Sequence, residues 1–212
     1  MLDSVAQRRL PVIVLMLVIA ITSVIGWKHG ASMWMMRPSV VMAAWEQVMA
    51  GSFSSEIIKA LATVLTSVFL HGDVGHLTSN LLFIWIFGVV VHELCGTRWL
   101  VAVFLITGMG GSIGQILMDP DSPIPTLGAS GGLMGLEGFY FGLAFQRPRP
   151  ETMVWPLARP VSSTELAAAG VVGVCLDFFG ILGSGQGIAY GAHVGGFASG
   201  ILVSLIADRT LR

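Results

Sequence analysis

The chain has 212 residues, 54% of them hydrophobic and only 11% charged, against roughly a quarter charged in an ordinary soluble domain. That is too little charge to coat a soluble fold of this size. A formal net charge of −1 with no basic patch or tail gives no indication of nucleic-acid binding. The apolar residues come in runs close to the roughly 20 residues a helix needs to cross a bilayer core. The reading is an all-α polytopic membrane protein with six transmembrane helices, residues 1–212 forming a single membrane domain with short tails and no separate soluble domain.

The first span is expected at Pro11–Trp27, after a short basic lead. Lead and run resemble a secretory signal, but the run is long for a signal core and Gly26-Trp27-Lys28 is a poor cleavage site, so the span is read as retained. The connection from Lys28 to Asp73 carries Met33, Trp34, Met35, Met36, Trp45, Leu61, Val64 and Leu65 among polar residues. It is too apolar for a floppy linker and predicts a structured loop with short helices lying in the interface. The second and third spans are expected at Val74–Leu94 and Trp99–Met118. Asp119 to Thr126, with three prolines and two acids, is a loop. The fourth span, Gly128–Phe145, is followed by a second loop, Arg147 to Pro160, with four prolines and three arginines. The fifth and sixth spans are expected at Leu166–Leu182 and Ile188–Ala207. Small residues in the fourth and fifth suit close helix packing. Cys95 and Cys175 form no CxxC motif and read as buried, inert thiols.

The cationic residues set the orientation. With tails and loops assigned alternately to the two sides, one side receives eight of them (Arg8, Arg9, Arg98, Arg147, Arg149, Arg159, Arg209, Arg212) and the other three (Lys28, Arg37, Lys59). The positive-inside rule then puts both termini in the cytoplasm and the long first loop outside. A bacterial plasma (inner) membrane is the expected setting.

Polar groups inside a bilayer are costly and ask for a reason. His71, His76 and Asn80 lie at the start of the second span, Ser130 at the start of the fourth and His193 early in the sixth. Even-numbered spans all run from outside to inside in this topology, so these residues share one outer depth. In Gly128-Ala129-Ser130-Gly131-Gly132 a serine opens a helix whose unpaired N–H groups and dipole favour a developing oxyanion; the alternative is simple helix packing by small residues. His193 lies in Gly191-Ala192-His193-Val194-Gly195-Gly196, in a glycine tract that includes Gly200. It is suited either to general-base work or to a structural hydrogen bond. His76 and Asn80, four apart, share a helix face and can both donate to an oxyanion or to a neighbouring helix. A metal is not expected: His71 and His76 are five apart with no HExxH pattern. No cofactor is called for.

Together, His71-Gly-Asp-Val-Gly-His76-Leu-Thr-Ser-Asn80, Gly128-Ala129-Ser130-Gly131 and Ala192-His193-Val194-Gly195-Gly196, in this order, resemble the rhomboid family of intramembrane serine proteases. The resemblance covers about Thr66 to the C-terminus and implies a rhomboid-like bundle. By it, Ser130 is the nucleophile and His193 the general base of a dyad. His76, Asn80 and the backbone N–H of Ser130 form the oxyanion hole, and His71 braces the first loop. The fifth span is a lateral gate with Phe178 and Phe179 near the entry, and the substrates are single-pass membrane proteins cut after a small residue near the outer side. The chain departs from the family pattern at Ala62-Thr63, where many members carry Trp-Arg. It departs again at Met134, where many place an aromatic ring against the histidine, and at His92, which precedes Glu93 near the inner end of span two. Glu137, two turns below Ser130, is unexpected. Asp177 reads as a residue outside the dyad, paired or lining a wet cavity. Two other readings stand beside the protease: a proton-coupled transporter, motivated by intramembrane His, Asp and Glu but lacking an internal repeat, and an inactive rhomboid-like protein that binds membrane clients.

Overall fold

A computed structural model describes residues 2–146 and 188–210, together with 162, 164–166, 168, 170 and 172. The described elements are α-helical: α1 (Leu2–His29), α2 (Pro38–Met49), α3 (Ser55–Thr66), α4 (Val74–Cys95), α5 (Thr97–Met118), α6 (Ser130–Gln146) and α7 (Tyr190–Thr210), with a single 3-10 turn at Ser67–Phe69. Four of them, α1, α4, α5 and α7, contain stretches long and apolar enough to cross a membrane. The 17 residues of α6 fall at the short end of the length range for a span.

The expected second, third, fourth and sixth spans coincide with α4, α5, α6 and α7 to within a few residues. The first agrees as well: the apolar stretch of α1 fit to cross a membrane is Arg9–His29, while the helix itself begins at Leu2 and contains Pro11. The fifth span lies mostly outside the described residues. Its approach is marked by a reciprocal cap that the sequence reading missed: Ser162 Oγ accepts from the Glu165 N–H, and Glu165 Oε2 accepts from the Ser162 N–H at 3.0 Å. That is the Ser-x-x-Glu capping box.

Large apolar side chains point outward from α1 (Leu17, Ile21, Ile25), α5 (Ile113, Leu117) and α7 (Leu202, Ile206). In water such a surface would drive association; against acyl chains it is matched to its solvent. The interior splits into two kinds of packing. Helix α1 meets α4 through Val12, Leu15, Ile19, Ile84 and Val91, ordinary side-chain interdigitation. Near its N-terminal end, Arg9 reaches Glu93 at 3.9 Å and lies 5.5 Å over the Trp85 ring, so Glu93 ties α4 to α1. Cys95, at the end of α4, is half-buried rather than buried.

The other packing is backbone on backbone. Helices α5, α6 and α7 have the most extensive mutual contacts in the described structure. A methyl group at Gly111 would lie 2.9 Å from the Gly131 Cα and 2.7 Å from the Ala192 carbonyl oxygen. One at Gly114 would lie 2.8 Å from the Gly195 Cα. A methyl at Gly196 would land on the Gly131 carbonyl, and one at Gly200 on the Gly135 carbonyl. Small residues admit this approach, and dispersion and polar contacts reward it where no hydrophobic force acts between helices.

Outside these spans, α2 and α3 form the structured part of the first loop, and hydrogen bonds join that loop to its surroundings. Met36 and Thr126 exchange both backbone hydrogen bonds in an isolated antiparallel bridge, and Ser39 N–H donates to the Ser122 carbonyl at 3.1 Å. Ser112 Oγ donates to the Val64 carbonyl at 2.8 Å, and Thr66 Oγ1 to that of Trp34 at 3.0 Å.

Candidate active site

Asp73 caps α4 by accepting from the His76 N–H at 2.8 Å. The cap fixes where the helix starts, so His76 falls in the first turn and Asn80 one turn further on the same face. Gly128 has φ +130°, a conformation open to glycine, and a Cβ there would stand 2.9 Å from His76 Nε2 and 3.8 Å from Ser130 Oγ. The imidazole of His76 is thus pressed against the turn that leads into Ser130.

Ser130 is the first residue of α6 and is half-buried. The helix's first interior hydrogen bond runs from Leu133 N–H to the Ala129 carbonyl, so the Ser130 N–H has no carbonyl one turn back and belongs to the unpaired start of the helix. His193 enters from α7. Its neighbour Ala192 places its carbonyl against Gly111 and Gly131, the residue after Ser130. The glycine contacts therefore set the height of α7 relative to α6.

Ser130, His193, His76 and Asn80 line one cavity of about 880 Å³ at the N-terminal ends of α4, α6 and α7, within the usual range for a ligand pocket. Asn80 is 4% exposed; its Nδ2 donates to the His76 carbonyl at 2.8 Å, and its Oδ1 has no partner among the described residues. A primary amide has two N–H groups, so one remains for the cavity.

His71 does not line the cavity. It is 2% exposed and bridges two parts of the chain: Ala129 N–H donates to its Nε2 at 3.3 Å, and its Nδ1 lies 3.0 Å from Ser23 Oγ. Since the amide must donate, Nε2 is the acceptor and Nδ1 carries the proton. The Trp27 indole N–H donates to the His71 carbonyl at 2.6 Å. These hydrogen bonds join α1 to the residue before Ser130. Burial, with the His76 imidazole nearby, lowers the His71 pKa to about 4, against a smaller opposing effect of Asp73, and keeps the neutral tautomer this network needs.

Some residues around the site were not singled out by sequence. Tyr190 lies three residues before His193 on the same helix, with ring centroids 6.4 Å apart and edge-on. Its signal was the i, i+3 spacing. Met134, marked in the sequence as a departure from the family's aromatic, lines the cavity, as do Gln115, Asp73 and Asp119. The proposed gate residues Phe178 and Phe179, and Asp177 and Cys175, lie outside the described residues. Among the described residues, no group of three or more His, Cys, Asp or Glu is placed to hold a metal ion.

Comparison with known proteins adds a family. The family model described as "Rhomboid domain" matches residues 59–209. The chain is 29% identical over 155 residues, 65% of its length, to RHOMBOID-like protein 12, mitochondrial, of Arabidopsis thaliana, covering 44% of that protein. It is 35% identical over 75 residues to the Rhomboid protease GluP of Bacillus subtilis, covering 35% of this chain and 14% of that one. It is 24% identical over 151 residues to Rhomboid protein 1, mitochondrial, of Saccharomyces cerevisiae, covering 69% of this chain and 42% of the relative. The chain thus spans less than half the length of these relatives. Several of the matched proteins are named as mitochondrial or chloroplastic, so the expectation of a bacterial plasma membrane draws no support from them.

Proposed function

Because the chain belongs to the rhomboid family and is an integral membrane protein, we propose that it is an intramembrane serine endopeptidase working through a Ser130–His193 dyad. The observation that carries this reading is the meeting of Ser130, His193, His76 and Asn80 around one cavity, delivered by the first two turns of three separate helices. In this reading residues 1–212 form one membrane domain of six spans, the fifth supplied by the segment around 166–182 and bearing the gate at Phe178 and Phe179. Both termini face the cytoplasm and the cavity opens toward the outer side of the bilayer.

The chemistry follows from the groups present. His193 takes the Ser130 hydroxyl proton as Oγ bonds to the scissile carbonyl carbon. The resulting oxyanion accepts from the Ser130 N–H, the free Asn80 Nδ2–H and a His76 ring N–H. Collapse of the tetrahedral species breaks the C–N bond, and His193 returns the proton to the leaving amine. Water, deprotonated by the same histidine, then releases the acyl group. Membrane-spanning proteins are the substrates.

The test is cleavage of a single-pass reporter by the reconstituted chain, with fluorophosphonate labelling as a parallel readout. Ser130→Ala and His193→Ala each abolish cleavage while insertion persists, a loss on the order of 10⁶ for a nucleophile of this kind. Asn80→Ala loses about 10²–10³ as an oxyanion donor. Labelling undiminished in Ser130→Ala overturns the assignment. Binding of a client by the wild type with no turnover favours the inactive, client-binding alternative.

A further inference from the structure

Tyr190 opens α7 and stands three residues before His193; both are half-buried. Their rings meet edge-on, with centroids 6.4 Å apart and planes at 77°, a geometry in which an aromatic pair attracts. The start of the helix explains why they meet. The N–H groups of Ala192 and His193 both donate to the Ala189 carbonyl, at 2.9 and 3.3 Å. Ala189 is therefore the capping residue and Tyr190 the first residue inside the helix. An alanine has no side-chain oxygen to offer the open N–H groups of that turn, and the contact between Tyr190 and His193 ties the turn together instead.

Helical side chains lean over the turn on their N-terminal side, which for His193 is the turn made by Ala189 and Tyr190. The other residues one turn away on α7 add little. Gly196 has no side chain, and Phe197 is engaged with the Phe141 ring, centroids 5.9 Å apart. Ala189 contributes one methyl group. On this helix the bulk that bears on the imidazole is that of Tyr190. Helix α6 offers Leu133 and Met134 to the cavity wall, aliphatic side chains that do not fix the plane of a ring.

His193 lines the cavity it shares with Ser130, and Tyr190 does not. The tyrosine ring thus borders the imidazole from outside the space a substrate enters, and it acts on the reaction through His193. That action matters because a histidine turns about two side-chain bonds, the second with a broad preference, whereas a general base must keep one nitrogen within about 3 Å of the proton's donor.

We propose that Tyr190 is the positioning residue of the dyad: its ring restricts the His193 imidazole to the orientation in which it takes the Ser130 proton. The inference rests on His193 being the base of the proposed protease. Because the contact is ring on ring, phenylalanine serves as well as tyrosine, and a side chain without a ring does not.

The experiment compares the full chain in liposomes with Tyr190→Phe and Tyr190→Leu, the second apolar and compatible with a helix. Cleavage of a single-pass reporter gives kcat and KM, and denaturant unfolding gives stability. Protein labelled at histidine gives the His193 ring resonance, assigned by its loss in His193→Ala. Tyr190→Leu lowers kcat about tenfold or more, as expected for a misaligned reacting group, with KM within about twofold of wild type. It also shifts and broadens the His193 resonance. Tyr190→Phe matches the wild type in every readout. A residue that merely held α7 together would lower the unfolding midpoint and the active fraction without moving the His193 resonance of the folded molecules, and that result overturns the inference. So does wild-type kcat in Tyr190→Leu. Tyr190→Phe as impaired as Tyr190→Leu assigns the effect to the hydroxyl and overturns it equally. Where Tyr190→Leu does not fold, Tyr190→Met replaces it with the same expectations. A wild type with no Ser130-dependent cleavage or fluorophosphonate labelling is a different failure, that of the protease reading, and the His193 resonance still reports the ring contact.

Discussion

Ser130 is held from two sides by different means. On the side of α5 and α7, glycines bring backbone against backbone, as where Gly111, Gly131 and Ala192 meet. On the side of α1, a chain of single hydrogen bonds runs from Ser23 through His71 to Ala129, with Trp27 bonded to the same histidine. The first kind of contact has no slack, because a peptide group cannot rotate out of the way of a new methyl. The second can lose a link at the cost of one buried hydrogen bond, because no backbone has to move when a side chain is shortened. The glycine side therefore fixes where α6 sits, and the polar side tunes the turn that presents its first residue.

The largest effect is expected from breaking the glycine side. Gly196→Ala puts a methyl on the Gly131 carbonyl, with a cost at or above the upper end of the roughly 1–3 kcal/mol of an overpacked core. Unfolding in detergent should shift sharply, and fluorophosphonate labelling of Ser130 should vanish with it. Wild-type stability in this variant contradicts the backbone account. His71→Ala comes next. It orphans the Ala129 N–H and removes the Ser23 contact, at about 1–3 kcal/mol for the buried amide, and it should slow labelling while the protein remains folded.

The same histidine gives the polar side a pH dependence that the glycine side lacks. Its folded pKa is held down to about 4 from 6.5, so the unfolded chain binds a proton more readily. Its neutral network contributes fully above pH 6.5 and loses stability progressively as the pH falls from 6.5 toward 4. The slope is at most about 1.4 kcal/mol per pH unit. Denaturant titrations at pH 7 and pH 5 measure it, and the part belonging to this residue disappears in His71→Ala. The smallest effect is Trp27→Phe, which deletes one hydrogen bond to the His71 carbonyl and should cost about 0.5–1.5 kcal/mol, with labelling close to wild type.

Several long helices and the residues of the candidate site were legible for physical reasons. Length and apolarity mark α4, α5 and α7 regardless of partners, and a serine or histidine inside such a run is conspicuous because burial makes it expensive. Rotation and pairing were not legible. Helices that are apolar on every side carry no periodic clue to which face turns inward, so Tyr190 beside His193 and Gln115 on the cavity wall went unmarked. The reach of His71 to Ser23 and Ala129 spans 48 and 58 residues of sequence, and no local pattern encodes a contact of that kind. The turns of α1 that precede its apolar stretch, Leu2 to Arg8, carried no hydropathy signal and were not marked as helix.

The glycine interface also dictates an order of events in biogenesis. Helices enter the bilayer in sequence and associate afterwards, and α7, the last described helix, carries His193 and the faces that seat α5 and α6. While a ribosome is still threading the earlier spans, Ser130 has neither its proposed base nor the neighbour that sets its height. The nascent chain is then inert toward the other proteins crowding the insertion site, and on the proposed reading hydrolytic competence arrives only with the docking of α7.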